Sequence, residues 1–104
     1  MGKGLTQSRI TADGSFTGAT EFAGWLRKVI ITTGKTGAGE VLIYDDAAAA
    51  TGTVIFRVQT AKSTDSTYGV STTWDFPGAG VVFAKGMYGD VSGGTAAVQA
   101  YWDV

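Results

Sequence analysis

The stretch 41–58, VLIYDDAAAATGTVIFRV, consists of two apolar runs joined by an acidic and alanine-rich connection. Both runs are dense in β-branched and aromatic residues, which suit the pleated, partly buried surface of a β-strand. In the connection, Asp45, Asp46 and Gly52 have the chemistry of turn residues. The stretch therefore predicts a two-stranded unit whose loop is somewhat longer than a tight hairpin.

The second run, 53–58, predicts a strand with one mainly buried side. Successive side chains of a strand point to opposite faces of its sheet. We therefore expect Val54, Phe56 and Val58 to lie against the core. The other side of this strand then presents Thr53, Ile55 and Arg57.

The longest candidate strand covers residues 22–33. Alternation places Trp25 and Val29 on one face and Leu26 and Ile30 on the other, and each face mixes apolar with polar residues. Such a mixture is typical of a β-bulge or of a change in burial along the strand. We expect one of these irregularities within this segment.

The rest of the chain repeats the pattern of short apolar runs separated by turn residues. About seven or eight short strands without a convincing helix indicate an all-β fold, a single antiparallel β-sandwich or small barrel of jelly-roll or immunoglobulin-like type. We expect an N-terminal arm over residues 1–9 and one sandwich domain over residues 10–104. The further strands are predicted at 8–12, 15–17, 70–76, 81–83, 87–91 and 96–103.

The composition argues against several classes of function. The 104-residue chain contains no Cys and no His, which removes common metal ligands and the commonest general base. A formal net charge of −1 provides no basic field for nucleic acid. No window approaches the roughly 20 apolar residues of a membrane span. We expect no enzyme activity, no cofactor and no metal, and neither nucleic acid, membrane nor a small-molecule substrate as a partner.

Two motifs have a chemical and a structural interpretation. Gly34-Lys35-Thr36 looks like the end of a phosphate-binding loop, but the first glycine of that motif is replaced by Val29, and a hairpin turn is favoured. Asp45 and Asp46, with Thr51 nearby, offer oxygen ligands for a cation. Adjacent carboxylates are commoner in turns, where they accept backbone N–H groups, and we favour that interpretation here as well.

The aromatic residues also allow two interpretations. Trp25, Trp74 and Trp102, together with four tyrosines, could form a platform on which the apolar faces of sugars stack. Each Trp lies within a predicted strand among apolar neighbours, so a place in the core or in a subunit interface is favoured. Tyr68, in the polar segment 60–69, is the best candidate for an exposed aromatic ring.

Association with other chains is indicated by the sparse charge. Only 16% of the residues are charged while 44% are hydrophobic, which suggests that other subunits cover part of the surface. An unpaired strand edge invites pairing with another chain, so we expect contacts at the edge strands and along the arm. The candidate interface residues are Leu5, Arg9, Ile10 and Tyr68.

A series of short motifs, mostly turn glycines and core aromatics, extends over nearly the whole chain after Ile10. They are GSFTG at 14–18, TTG at 32–34, LIYD at 42–45, GTV at 52–54, PGAGV at 77–81, FAKGMY at 83–88 and YW at 101–102. In this order they resemble the small β-sandwich virion proteins of tailed bacteriophages that decorate or cement the capsid.

The resemblance implies a function without catalysis. It implies that the protein is a homotrimer on the capsid surface of the virion and binds where capsomers meet. There the trimer would stabilise the lattice of the major capsid protein. Such proteins have no catalytic residues to transfer to this chain. The alternatives are a carbohydrate-binding module and a phage tail or receptor-binding β-sandwich domain.

Overall fold

The computed structural model describes residues 6–20, 23–33, 39–60, 70–93 and 95–103, and within these ranges the chain forms nine strands and no helix. The predicted all-β fold is therefore confirmed. No described segment is a helix that could span a membrane. The strands are β1 (Thr6–Ile10), β2 (Gly14–Thr20), β3 (Gly24–Thr33), β4 (Gly39–Asp45), β5 (Thr53–Thr60), β6 (Val70–Asp75), β7 (Val81–Phe83), β8 (Gly86–Gly93) and β9 (Thr95–Asp103).

The strands form two antiparallel sheets that pack face to face. The five-stranded sheet has the order β1-β9-β3-β6, and β7 pairs with β3 beyond the end of β6. The four-stranded sheet has the order β2-β8-β4-β5. Successive strands change sheet at every connection except β4 to β5 and β6 to β7. With β6 and β7 counted as one interrupted strand, this is the eight-strand order of a jelly roll, and the sheets do not close into a barrel.

The irregularity expected in the longest strand is a bulge at Arg27. Leu26 is opposite Trp102 on β9, and the next pair joins Lys28 to Tyr101, so Arg27 has no partner of its own. The extra residue shifts the alternation by one position. As a result Leu26 lies on the same buried side as Val29 and Ile31, which strict alternation would place on the opposite face.

A second bulge, in β5, corrects the expectation for Val54. Ile43 of β4 is opposite Phe56, but the next residue, Tyr44, is opposite Val54, so Ile55 is the extra residue. Val54 therefore lies on the outer side of the sheet, where it is 41% exposed. The expectation that Val54 is buried together with Phe56 was wrong, because the bulge reverses the alternation between them.

The core lies between the sheets and contains residues from eight of the nine described strands. The remaining strand, β6, contributes Trp74, which packs against the core. Phe56 contacts Trp74 and Phe76 edge-to-face, with ring centroids 6.0 and 5.5 Å apart, and this cluster joins β5 to the opposite sheet. Burial of each large apolar side chain stabilises the folded state by about 1.5–3 kcal/mol. The largest of them are Trp102, Phe16, Phe83, Leu26, Ile31, Ile43 and Met87.

The first strand takes up part of the predicted arm. Residues 6–10 pair with β9 from Trp102 to Val98, so residues 6–9 belong to the sandwich. Ile10 is 9% exposed and is part of the core. Residues 1–5, the rest of the predicted arm, lie outside the described residues.

Candidate functional site

Asp46 organises the connection between β4 and β5. Its Oδ1 accepts hydrogen bonds from the backbone N–H of Ala48 at 2.9 Å and of Ala49 at 3.0 Å, and its Oδ2 accepts one from the hydroxyl of Thr51 at 2.7 Å. These hydrogen bonds hold the pKa of Asp46 below its ordinary value, and the bond from Ala48 has the largest effect. The turn interpretation of this carboxylate is therefore confirmed.

Asp45 joins two distant parts of the chain. Its Oδ1 accepts the backbone N–H groups of Ala84 at 3.0 Å and Lys85 at 2.7 Å, in the connection between β7 and β8. The end of β4 is thereby fixed beside the end of β7. Within the described ranges, no group of three or more acidic side chains has the arrangement of a metal site.

Two exposed hydrophobic side chains lie together beside the connection between β7 and β8. In the described part of the chain, the large hydrophobic side chains that are exposed are Trp25 at 42%, Val54 at 41% and Val82 at 62%. Trp25 and Val82 are cross-strand partners on β3 and β7. Val54 lies apart from them, at the start of β5 on the outer side of the other sheet. We call Trp25 and Val82 the β7 corner.

Charged side chains lie near Trp25 on the outer face of the five-stranded sheet. Its cross-strand partner on β9 is Asp103, whose Oδ2 forms an ion pair with Nη1 of Arg27 at 2.8 Å. The other oxygen, Oδ1 of Asp103, is buried and has no hydrogen-bond partner among the described residues. Farther along the same face, Nζ of Lys28 lies 5.7 Å from the ring centroid of Tyr101. The exposed indole of Trp25 thus lies next to an ion pair between a carboxylate and a guanidinium.

The structure separates the three tryptophans that sequence reasoning treated alike. Trp102 is 1% exposed and belongs to the core, and Trp74 packs against the core from β6. Trp25 lies on the surface because the bulge at Arg27 leaves it on the outer face. The sequence contained a weak signal for this difference, since Trp25 follows Gly24 and precedes two basic residues within three positions.

The candidate interface residues do not form one group in the described structure. Arg9 is exposed on β1, whereas Ile10 next to it is part of the core. Leu5 and Tyr68 lie outside the described residues, as does Gly34-Lys35-Thr36. An interface role for these side chains stays a prediction. The β7 corner was not among the candidates from sequence, because its residues are neighbours only in the folded chain.

Comparisons with known proteins add no family to this description. No protein-family model matches the chain, and neither the curated proteins nor the solved structures contain a significant match.

Proposed function

We propose that this chain is a non-enzymatic structural protein of a tailed-bacteriophage particle, a decoration or cement protein that binds the lattice of the major capsid protein as a homotrimer. The resemblance of its sequence motifs to such proteins motivates the proposal. The jelly-roll strand order supports it by analogy, because this architecture recurs in viral capsid domains and in lectins.

The β7 corner is the observation that carries a protein-binding role. Isolated exposed hydrophobic side chains are normal, but neighbouring ones indicate a contact surface. Trp25 and Val82 are direct cross-strand neighbours, and both side chains point away from the core. Aromatic side chains are enriched in protein interfaces, where a Trp often contributes much of the binding energy. We assign to this corner the contact with the capsid or with a neighbouring subunit.

The strand edge at this corner favours the same role. β7 has three residues and pairs with β3 along one side. Among the described residues, no strand pairs with its other edge, and β5 of the opposite sheet lies nearby. Such an edge offers backbone N–H and C=O groups to an extended segment of another chain. Backbone pairing together with the apolar pair would give both affinity and register.

Co-sedimentation with capsids tests the proposal. The wild-type chain is mixed with undecorated capsids of the phage whose genome encodes it, and bound protein is measured in the pellet. We expect saturable binding that the double variant Trp25→Ser/Val82→Thr weakens by at least about tenfold, as interface hot spots do. The control Asp75→Asn changes a carboxylate on the same sheet and should bind like the wild type. No sedimentation of the wild-type chain with capsids would contradict the proposal.

A second function, binding of carbohydrate, is favoured by the surroundings of Trp25. Its exposed ring could stack on a sugar ring, while Arg27 and Asp103 beside it provide hydrogen-bonding groups for hydroxyls. A glycan array distinguishes the two functions. Specific glycan binding that Trp25→Ala abolishes would support a carbohydrate-binding module. An array without hits would remove this alternative.

A further inference from the structure

The outer face of the four-stranded sheet has an apolar part with two tyrosines. Pairing between β8, β4 and β5 places Tyr88, Tyr44 and Val54 in one row across the sheet. The next row contains Leu42, which is opposite Asp90 on β8. Leu42 and both tyrosines are partly buried by their neighbours, while Val54 is exposed. These side chains point away from the core, because the residues between them, such as Val41 and Ile43, are fully buried.

The adjoining part of this face is acidic. Asp13 precedes Gly14, which pairs with Gly89, so Asp13 lies next to Asp90 on the neighbouring strand. Oδ1 of Asp13 accepts the backbone N–H of Val91 at 2.8 Å, which fixes its position. Glu40 lies one row farther along β4. We call Asp13, Leu42, Tyr44, Tyr88 and Asp90 the acidic–tyrosine face.

Arg57, which is opposite Leu42 on this face, is already paired with Glu40. Arg57 donates from Nε and Nη2 to Oε2 of Glu40, at 3.2 and 3.0 Å. Asp13 and Asp90 form no salt bridge with any described residue. Partial burial and the neighbouring carboxylate of Asp13 raise the pKa of Asp90. Two carboxyl groups thus lie side by side without a cation from the described residues, and a cation from another molecule would relieve the repulsion between them.

We propose that the acidic–tyrosine face is a docking surface for a basic polypeptide segment. An arginine of that segment binds between Asp13 and Asp90. Its planar guanidinium matches a pair of carboxylates and stacks on aromatic rings, so Tyr44 and Tyr88 contribute to the same contact. Charge complementarity selects this occupant, because a polyanion such as nucleic acid would be repelled. The proposal does not depend on the phage setting or on the β7 corner.

A titration followed by NMR tests this assignment. The full-length, isotope-labelled chain is titrated with acetylated tri-arginine amide at low ionic strength, where exposed charges are least screened. The matched ligand is the tri-citrulline peptide, which has nearly the same shape without the charge. We expect tri-arginine to shift the amide resonances of β4 and β8, and tri-citrulline to have little effect.

Two variants locate the binding site. Asp13→Asn and Asp90→Asn keep the size of the side chains and an oxygen acceptor, so both should fold, and each should weaken tri-arginine binding by roughly three- to tenfold. Asp75→Asn, on the opposite sheet, should bind like the wild type. Equal affinity of Asp90→Asn and the wild type would overturn the proposal, as would equal shifts with tri-citrulline. Shifts at these residues with calcium chloride but not with tri-arginine would identify a metal site instead and would also overturn it. Loss of capsid binding alone leaves these results unchanged, so the two proposals fail separately.

Discussion

Val82 of β7 and Trp25 of β3 are cross-strand partners whose side chains lie together on the outer face of the five-stranded sheet. The pair lies beside the connection that Asp45 fixes through the N–H groups of Ala84 and Lys85. An apolar pair with one aromatic member, next to a strand edge that has no partner among the described strands, combines the two features that strand-mediated protein contacts use.

Because Val82 is exposed, we expect its substitution to weaken association and to change the free energy of unfolding little. Val82→Thr replaces a methyl group by a hydroxyl that water can solvate, so the free energy of unfolding should stay within about 0.5 kcal/mol of the wild type. Val98→Thr makes the same change at a fully buried position and should cost about 1–3 kcal/mol. Urea denaturation measures both. Equal losses for the two variants would show that Val82 is not a surface residue.

Gly80 has a conformation and a position that exclude a side chain. Its φ is +90°, and a Cβ atom there would collide with the backbone oxygen of Leu26. Gly80→Ala should therefore lower the free energy of unfolding by at least about 2 kcal/mol. Gly78→Ala is the matched control, because φ is +64° and the space around it is open; its cost should be about 1 kcal/mol. Chemical denaturation in which Gly78→Ala is the more damaging change would contradict this account.

Asp45 should stabilise the fold more than an ordinary surface carboxylate. Asp45→Ala leaves the N–H groups of Ala84 and Lys85 without their acceptor, with an expected loss of about 1–3 kcal/mol. Asp75→Ala removes an exposed ion pair with Lys28 at 3.7 Å and should cost less than about 1 kcal/mol. Thermal and urea unfolding compare the two. Equal destabilisation by Asp75→Ala and Asp45→Ala would contradict the stabilising role of Asp45.

The hydrogen bonds to Asp46 predict a specific dependence of stability on pH. Because they lower the pKa of the folded state below the ordinary value of 3.8, the carboxylate contributes fully above that value. The contribution is lost as the pH falls through the lower pKa of the folded state. We expect Asp46→Asn to melt below the wild type at neutral pH and to approach it at about pH 2. Melting curves followed by circular dichroism would refute this if the difference were constant across the range.

The sequence was sufficient for the local features of this fold. Alternating apolar residues predicted strands, and the two aspartates after Tyr44 predicted a turn, because both signals depend on neighbouring residues. The mixed faces of residues 22–33 predicted an irregularity without its position. The bulge in β5 was not predicted, because Val54, Phe56 and Val58 alternate as in a regular strand and only the apolar Ile55 departs from that pattern.

The features that carry the proposals depend on pairing between distant strands. Jelly-roll and immunoglobulin-like sandwiches contain similar strands and differ in sheet order, which alternation does not encode. The β7 corner joins residues from two strands, and Asp13 meets Asp90 only because β2 pairs with β8. Such contacts follow from the register of the folded sheets.

The mass of the particle in solution, measured by light scattering coupled to size-exclusion chromatography, tests the proposed assembly most directly. The wild-type chain and Trp25→Ser/Val82→Thr are compared over a wide concentration range. A variant lacking residues 1–5 leaves β1 intact and tests the arm separately. We predict three times the chain mass for the wild type and, where the β7 corner forms the contact between subunits, a lower mass for the double variant. A wild-type monomer at every concentration would contradict the claim that this chain assembles as a homotrimer.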